Sequence, residues 1–212
     1  MIVDVVYDLL CPWSLVAKRH FDLAVERIRP RGLTVRWRPF MLYPHFDRGG
    51  HEFLAFFRDR YGEELRVPMW DRVRAAAEPV GVRFAFERIG RGPASIDAHR
   101  LVRLASREAP GREGELYELL ARAFFEEARV VDEALLVEKA AAVGLDPERA
   151  RAYLRTDEDE ADIFAETAAW RAAGVTSLPH YILDDGRGRV RVVKKTGVLA
   201  FARALAAGAD AD

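Results

Sequence analysis

Apolar residues follow a strand-like pattern near both ends of the chain and a helix-like pattern between them. Residues 2–7 form a short apolar run rich in β-branched side chains, which predicts a buried strand. Residues 33–40 alternate apolar and polar side chains, as a strand with one buried face does. Two later segments, 180–183 and 189–193, flank a loop of aspartates and glycines that is typical of a hairpin. The pattern therefore predicts strands at both ends of the chain.

Apolar residues recur at helical spacing through most of the remaining sequence. Residues 12–29 predict a first helix, and the long stretch 49–173 predicts several more. The clearest periodic segment carries five apolar residues at helical spacing: Leu116, Leu119, Leu120, Ala123 and Phe124. Pro68 is expected to begin one helix, and Thr156 is expected to cap another that runs to about residue 173. Thr196 is expected to cap the last helix.

The order of these elements predicts an α/β fold. The β-α-β units at the start and the β-β-α units at the end would form one sheet domain from residues 1–48 and 174–212. The helical stretch 49–173 would then be an all-helical insertion domain.

The charge balance argues against several classes of partner. Lys and Arg number 33 and Asp and Glu number 34, and no nucleic-acid-binding motif accompanies them, so we expect no nucleic-acid or membrane partner. No apolar run reaches the roughly 20 residues of a membrane span. The first residues lack the basic segment of a signal peptide, and a single cysteine excludes an internal disulfide framework. These features favour a cytoplasmic protein, and they leave its oligomeric state open, a homodimer included.

The single cysteine lies in the sequence Cys11-Pro12-Trp13-Ser14, directly after the first predicted strand. Proline suits the first position of a helix because it lacks an N–H, so Cys11 would be the N-cap residue. The free N–H groups of the first turn and the helix dipole would then lower the thiol pKa. The Ser14 hydroxyl would donate one more hydrogen bond to the thiolate. The alternative is a buried cysteine that serves as a small apolar side chain.

Four segments of the chain resemble one known family in their order and spacing. They are CPWS, VRWRPFMLYP, IDAHRL and GVTSLPHYIL. Together they resemble the DsbA-like thioredoxin-fold family, and in particular its FrnE-like branch, which is related to 2-hydroxychromene-2-carboxylate isomerases and kappa-class glutathione transferases. The resemblance runs from residue 2 to about residue 205. It implies a thioredoxin-like fold with an inserted helical domain, which agrees with the predicted α/β order of elements.

The resemblance also implies roles for residues around the cysteine. Cys11 occupies the position of the nucleophilic cysteine of FrnE-like proteins, and Ser14 occupies that of their resolving cysteine. Pro179 takes the place of a cis-proline that faces the active-site helix, so the Leu178–Pro179 bond is expected to be cis. Leu178 would offer its backbone N–H and C=O to a thiol peptide or to glutathione.

Pro12 and Trp13 are expected to border this binding site, with Trp13 either forming a hydrophobic lip for substrates or packing against the inserted helices. A metal site is a weaker candidate, because His45 and His51 lie near Asp47 without a tight ligand spacing. We therefore expect no metal, and no phosphate-loop context indicates a nucleotide cofactor.

Two departures from the family pattern bear on function. Without a second cysteine, a mixed disulfide at Cys11 must be released by an outside thiol, which suits glutathione-linked exchange. The glutathione-using isomerases and transferases of the superfamily usually carry serine at this position. The segment VVKKTGVLAF also lacks the motif that FrnE-like proteins usually have before their last helix. Glutathione contacts in that segment are left open, although Thr196 and Gly197 would present a helix N-terminus to a carboxylate.

Three functions stay open from the sequence. The first is a thiol–disulfide oxidoreductase with a single active-site thiol, in which Cys11 is the nucleophile and Ser14 stabilises it. The second is a glutathione-dependent isomerase or transferase, whose small aromatic or hydrophobic substrate would lie between the sheet domain and the insertion. The third is a non-catalytic binding module that has kept the fold.

Overall fold

The computed structural model describes residues 1–193 and 197–209. Its strands are β1 (Ile2–Tyr7), β2 (Thr34–Pro39), β3 (His51–Glu52), β4 (Arg91–Gly92), β5 (His180–Asp184) and β6 (Val190–Val193). Four of them form a mixed sheet in the order β2-β1-β5-β6, in which β1 runs parallel to β2 and antiparallel to β5. β5 and β6 form the predicted hairpin, and β3 pairs with β4 in a separate ribbon. The segment after Tyr7 therefore leaves the sheet from a central strand.

Nine α-helices of the described residues surround the sheet and fill the segment between β2 and β5. They are α1 (Pro12–Ile28), α2 (Phe53–Tyr61), α3 (Glu63–Ala77), α4 (Ile96–Glu108), α5 (Glu113–Phe125), α6 (Glu133–Ala142), α7 (Pro147–Leu154), α8 (Glu160–Ala172) and α9 (Val198–Ala209). α1 packs against α9, and both α4 and α8 contact β2 at the edge of the sheet. Across the described ranges, no helix is long and apolar enough to cross a membrane. The predicted α/β architecture is confirmed.

One hydrophobic core continues from the sheet into the helical segment. On the sheet side, Phe21 of α1 and Phe201 of α9 both contact Tyr181 of β5. On the helical side, Phe124 of α5 packs edge-on against Phe53 of α2. Buried residues of both sides belong to one cluster of contacting side chains. The sheet and the helices therefore share a core, and the division into residues 1–48 with 174–212 and residues 49–173 stays a prediction.

The helix predicted to begin at Pro68 begins earlier. α3 starts at Glu63 and contains Pro68 in its interior. The backbone N–H of Arg66 donates to the carbonyl oxygen of Gly62 (3.0 Å), so the first turn closes before the proline is reached. Pro68 is the sixth residue of α3 and lies beyond the N–H groups that lack helical partners, so it removes one hydrogen bond from the helix without ending it.

The helix predicted to begin with Thr156 as its cap begins later. α8 starts at Glu160, after Asp159 in a left-handed conformation (φ 66°). The Thr156 hydroxyl instead donates to the carbonyl oxygen of Tyr153 (2.8 Å) and accepts from the N–H of Glu158 (3.2 Å). Thr156 therefore stabilises the turn after α7. The predicted cap Thr196 lies outside the described residues.

Candidate active site

Cys11 is the N-cap residue of α1, as the sequence predicts. Its backbone is extended (φ −96°, ψ 105°), and Pro12 is the first helical residue. The carbonyl oxygen of Cys11 accepts a hydrogen bond from the N–H of Ser14 (2.9 Å), which closes the first turn. The N–H of Cys11 donates to the carbonyl oxygen of Asp8 (3.2 Å), which fixes the turn between β1 and α1.

The chain segment before β5 lies opposite the sulfur. The Leu178–Pro179 peptide bond is cis, as predicted. The thiol of Cys11 donates to the carbonyl oxygen of Leu178 across a distance of 3.7 Å. Beside this contact is a pocket of about 380 Å³, bordered by Trp13, Pro179 and His180 among other residues. The structure therefore brings Trp13 of the CPWS motif to the same pocket as Leu178 and Pro179, whereas Cys11, Pro12 and Ser14 do not border it.

Ser14 is buried directly behind the cysteine. Only 1% of the residue is exposed, and within the described part of the chain its hydroxyl oxygen has no hydrogen-bond partner. A buried hydroxyl without a partner is costly, and an ionised sulfur would supply the missing acceptor. Ser14 is therefore suited to stabilise a Cys11 thiolate at the moment it forms.

Burial raises the pKa of the Cys11 thiol to about 11, and the nearby charge of Asp8 acts in the same direction. The Ser14 hydroxyl and the backbone N–H groups of Ser14 and Trp13 oppose this rise but do not overcome it. The depressed thiol pKa expected from the sequence is therefore wrong. The reason is that only 6% of Cys11 is exposed, so the sulfur loses more hydration than the helix N-terminus returns. At neutral pH the resting side chain is a thiol.

A buried pair of polar residues lies beneath the cysteine, and the sequence did not indicate it as part of the site. His99 Nε2 lies 3.3 Å from Asp8 Oδ1, and both side chains are fully buried. The other Asp8 oxygen accepts a hydrogen bond from the N–H of Leu42 (2.7 Å). The available signal was an aspartate three residues before Cys11 at the end of an apolar strand, but its partner lies 91 residues away.

The histidines considered for a metal site pack with aromatic rings. The ring of His51 lies 4.0 Å from that of Phe46, centroid to centroid, and the ring of His45 lies 5.0 Å from it. Among the residues that the structure describes, no group of three or more His, Cys, Asp or Glu side chains could hold a metal ion.

The sequence matches the DSBA-like thioredoxin domain family over residues 2–206. The chain belongs to the DsbA-like thioredoxin family. This family of thiol–disulfide oxidoreductases accounts for the mixed sheet, the cysteine at the start of α1 and the helices between β2 and β5. The predicted family and the predicted thioredoxin-like fold with helical insertion are confirmed.

Solved structures of this DsbA-like fold agree with the assignment. A probable DsbA oxidoreductase from Streptomyces coelicolor is 27% identical, with a TM-score of 0.84, covering 100% of this chain and 91% of that chain. The cytosolic disulfide reductase DsbM from Pseudomonas aeruginosa is 21% identical, with a TM-score of 0.69, covering 98% and 96%. A 2-hydroxychromene-2-carboxylate isomerase is 18% identical, with a TM-score of 0.60, covering 90% and 88%. The last two likenesses are likenesses of fold. No curated protein matches the sequence significantly.

Proposed function

We propose that the protein is a thiol–disulfide oxidoreductase that works with one active-site thiol, Cys11, and exchanges with glutathione. The observation that carries this proposal is the position of the Cys11 sulfur at the start of α1, 3.7 Å from the carbonyl oxygen of Leu178 and beside an open pocket. Membership of the DsbA-like family supports the reaction class. The solved structure of DsbM with GSH supports glutathione as the exchanging thiol.

The exchange has two steps. The Cys11 thiol gives its proton to solvent, and the resulting thiolate attacks one sulfur of a substrate disulfide, so that a mixed disulfide forms and the other substrate sulfur leaves as a thiol. Because Ser14 has no sulfur, an outside thiol must then attack the mixed disulfide. That step restores the Cys11 thiol and passes the substrate sulfur to a new disulfide. One outside thiol is thus oxidised as one substrate sulfur is reduced, and a second outside thiol must attack the new disulfide to reduce the other substrate sulfur.

The raised pKa of Cys11 determines the rates of both steps. Attack is slow at neutral pH, since the thiolate is scarce even with the Ser14 hydroxyl and the first-turn N–H groups to stabilise it. Release is also slow, because a thiolate of high pKa is a poor leaving group. A mixed disulfide at Cys11 should therefore be long-lived.

The pocket beside the sulfur fits a peptide-like thiol. Its border combines the indole of Trp13 with the hydroxyl-bearing residues Thr176 and Ser177. The backbone of Leu178 would bind the extended part of the ligand, and Pro12 and Pro179 would limit its path. A cytoplasmic location would supply the reduced thiols that the second step needs.

Intact-mass spectrometry after incubation with oxidised glutathione tests the proposal. Wild-type protein should gain one glutathione, and reduced glutathione should remove it. Cys11→Ser should gain none, and Ser14→Ala should gain it more slowly because the thiolate loses the hydroxyl. Ser14→Cys should instead form an internal disulfide and lose two hydrogen atoms, which reduce one oxidised glutathione to two thiols. Failure of the wild-type protein to gain glutathione from an excess of the disulfide would contradict the proposal.

A second candidate function is favoured by the same raised pKa. A Cys11 that stays protonated is an S–H donor, as its hydrogen bond to Leu178 illustrates. Such a donor could steady the thiolate of a bound glutathione, as a serine hydroxyl would. The protein would then be a glutathione-dependent isomerase or transferase for a small hydrophobic molecule. Reversible binding of glutathione without a mass gain at Cys11 would favour this function. If glutathione neither binds nor is captured at Cys11, a non-catalytic binding module is favoured.

A further inference from the structure

A second cavity, of about 520 Å³, lies along the open side of β2. β2 is an edge strand, and all six of its residues border the cavity. The remaining walls come from β1, α4, α5 and α8. None of the residues around the Cys11 pocket borders this cavity. Its volume falls within the range of about 300–1,000 Å³ that is usual for small-molecule sites.

The inner wall of the cavity is aromatic. The ring of Tyr7 lies 5.0 Å from that of Trp37 and 4.9 Å from that of His99, all measured between ring centroids. Tyr7 is only 2% exposed. Burial raises the pKa of Tyr7 well above its usual value, so its hydroxyl stays protonated. The inner wall of the cavity is therefore aromatic and uncharged.

The strand side of the rim carries more positive than negative charge. Arg36 donates two hydrogen bonds to the Asp4 carboxylate (2.8 and 2.6 Å), and Arg38 donates a third (2.7 Å). One carboxylate thus serves two guanidinium groups, and Arg38 keeps most of its N–H donors unused. The other cation of the rim, Arg103, is paired with Glu166 (2.5 Å) and adds no net charge.

The helix side of the rim carries a carboxylate without a partner. Glu113 is the first residue of α5 and borders the same cavity. No ion pair joins it to any residue that the structure describes, whereas its neighbour Glu115 is paired with Arg112 (2.6 Å). Among the described residues, the strand wall of the cavity therefore carries one excess positive charge and the α5 wall carries one carboxylate without an ion pair.

We propose that this cavity binds a small zwitterion with a flat apolar group, in chemical terms an aromatic α-amino acid. Its carboxylate would accept hydrogen bonds from Arg38, its ammonium group would donate to Glu113, and its ring would lie against the partly exposed Trp37. Hydrogen bonds between charged groups are the stronger ones, so a ligand that carries both charges has the advantage over one that carries either alone. The site is independent of the thiol chemistry at Cys11.

Isothermal titration calorimetry with phenylalanine, tyrosine and tryptophan tests the proposal. Each amino acid is compared with its amine analogue and its carboxylate analogue, which for phenylalanine are phenethylamine and 3-phenylpropanoate. We expect saturable binding of at least one amino acid at a single site, and binding about tenfold weaker for each of its two analogues. No saturable binding by any of the three amino acids, or equal affinity for an analogue, would overturn the proposal.

Variants locate the site. Glu113→Gln should weaken binding of the amino acid about tenfold while leaving binding of the carboxylate analogue unchanged, and Arg38→Gln should show the reverse selectivity. Glu115→Gln is the matched control, since it removes an acid from the same turn of α5 but not from this cavity, and it should bind as the wild type does. Cys11→Ser should also bind normally, which separates this site from the proposed oxidoreductase.

Glu113 has no ion pair to lose, so Glu113→Gln decides the question even if Arg38→Gln fails to fold. Unchanged affinity in Glu113→Gln, or an equal loss in Glu115→Gln, would contradict the assignment of the ammonium group to Glu113 and with it the proposal.

Discussion

The sulfur of Cys11 lies between the first turn of α1 and the carbonyl oxygen of Leu178. Three groups of that turn would stabilise its ionised form: the Ser14 hydroxyl and the N–H groups of Trp13 and Ser14. Burial and the charge of Asp8 favour the neutral form, and they prevail. At the scale of single residues, reactivity therefore depends on how far a substrate changes this balance.

The pH dependence of alkylation checks the ionisation of Cys11 directly. Because the folded thiol has a pKa of about 11, the rate of reaction with iodoacetamide should still be rising at pH 9. In urea the same cysteine should approach a plateau near pH 9, since the pKa of an exposed thiol is about 8.5. Alkylation quenched at timed intervals and quantified by mass spectrometry measures the pH dependence of the rate for the folded and the urea-unfolded protein. A folded-state midpoint below 8.5 would show that the sulfur is better stabilised than its burial implies.

Removal of the Asp8 charge should make Cys11 more reactive. In Asp8→Asn the thiol pKa should fall, and each unit of that fall raises the thiolate fraction at neutral pH about tenfold. The alkylation rate at pH 7.5 is the measurement. Asp4→Asn removes an equal charge from β1 at a residue that does not act on the sulfur, so its rate should match the wild type. An Asp8→Asn rate at or below the wild-type rate would contradict the role given to Asp8.

At the scale of elements, one carboxylate joins the two parallel strands of the sheet. Asp4 of β1 lies in register with Arg36 of β2 and also accepts a hydrogen bond from Arg38. Burial alone would raise the pKa of Asp4, but the hydrogen bonds from the two arginines outweigh it and lower the pKa below its usual value. A carboxylate with a lowered folded-state pKa stabilises the fold above its unfolded pKa, and this contribution is lost as the pH falls through the folded pKa.

The stability of Asp4→Asn should therefore depend on pH in a defined direction. At pH 7 the variant should lose about 1 kcal/mol of unfolding free energy, which is the usual upper range for a partly exposed pair. The difference from the wild type should shrink as the pH falls from about 5 toward 2, where the wild-type carboxylate also becomes neutral. Urea unfolding at several pH values measures it. A difference that does not change with pH would mean that shape, and not charge, accounts for the loss.

At the scale of the whole molecule, the sheet and the helices between β2 and β5 share one core. Arg100 of α4 adds a polar tie within the helical part, since its fully buried guanidinium donates to the carbonyl oxygens of Tyr153 and Thr156 (2.8 and 2.7 Å). The shared core favours unfolding as a single unit, and the buried contact between Asp8 and His99 joins the same two parts. This bears on the predicted domain division, which the architecture alone does not test.

Unfolding should therefore be one cooperative transition. Trp37 reports on the sheet and Trp70 on the helical segment, so two variants that each keep only one of these two among the four tryptophans separate the two fluorescence signals. In each variant, the urea midpoint measured by fluorescence should coincide with the midpoint measured by far-ultraviolet circular dichroism. Two separate midpoints would instead support residues 49–173 as an independently folding domain.

The amino-acid sequence by itself determined the order of the helices and of the four strands of the mixed sheet, the family and the position of Cys11 as an N-cap, but not the short strands β3 and β4. The elements and the N-cap follow from local signals, because β-branched runs, helical spacing and Pro12 after the cysteine act over a few residues. The family follows from four motifs taken together in their order along the chain. The starts of α3 and α8 were misjudged because Pro68 and Thr156 each have a local signal that neighbouring turns override.

Only the tertiary structure decided the state of the sulfur and the shape of the cavities. The contact between Cys11 and Leu178 spans 167 residues, and that between Asp8 and His99 spans 91. The pKa of Cys11 depends on how much water these and other distant residues exclude, which no short segment of sequence encodes. For the same reason the charges of Arg38 and Glu113 acquire a common cavity only when β2 and α5 come together.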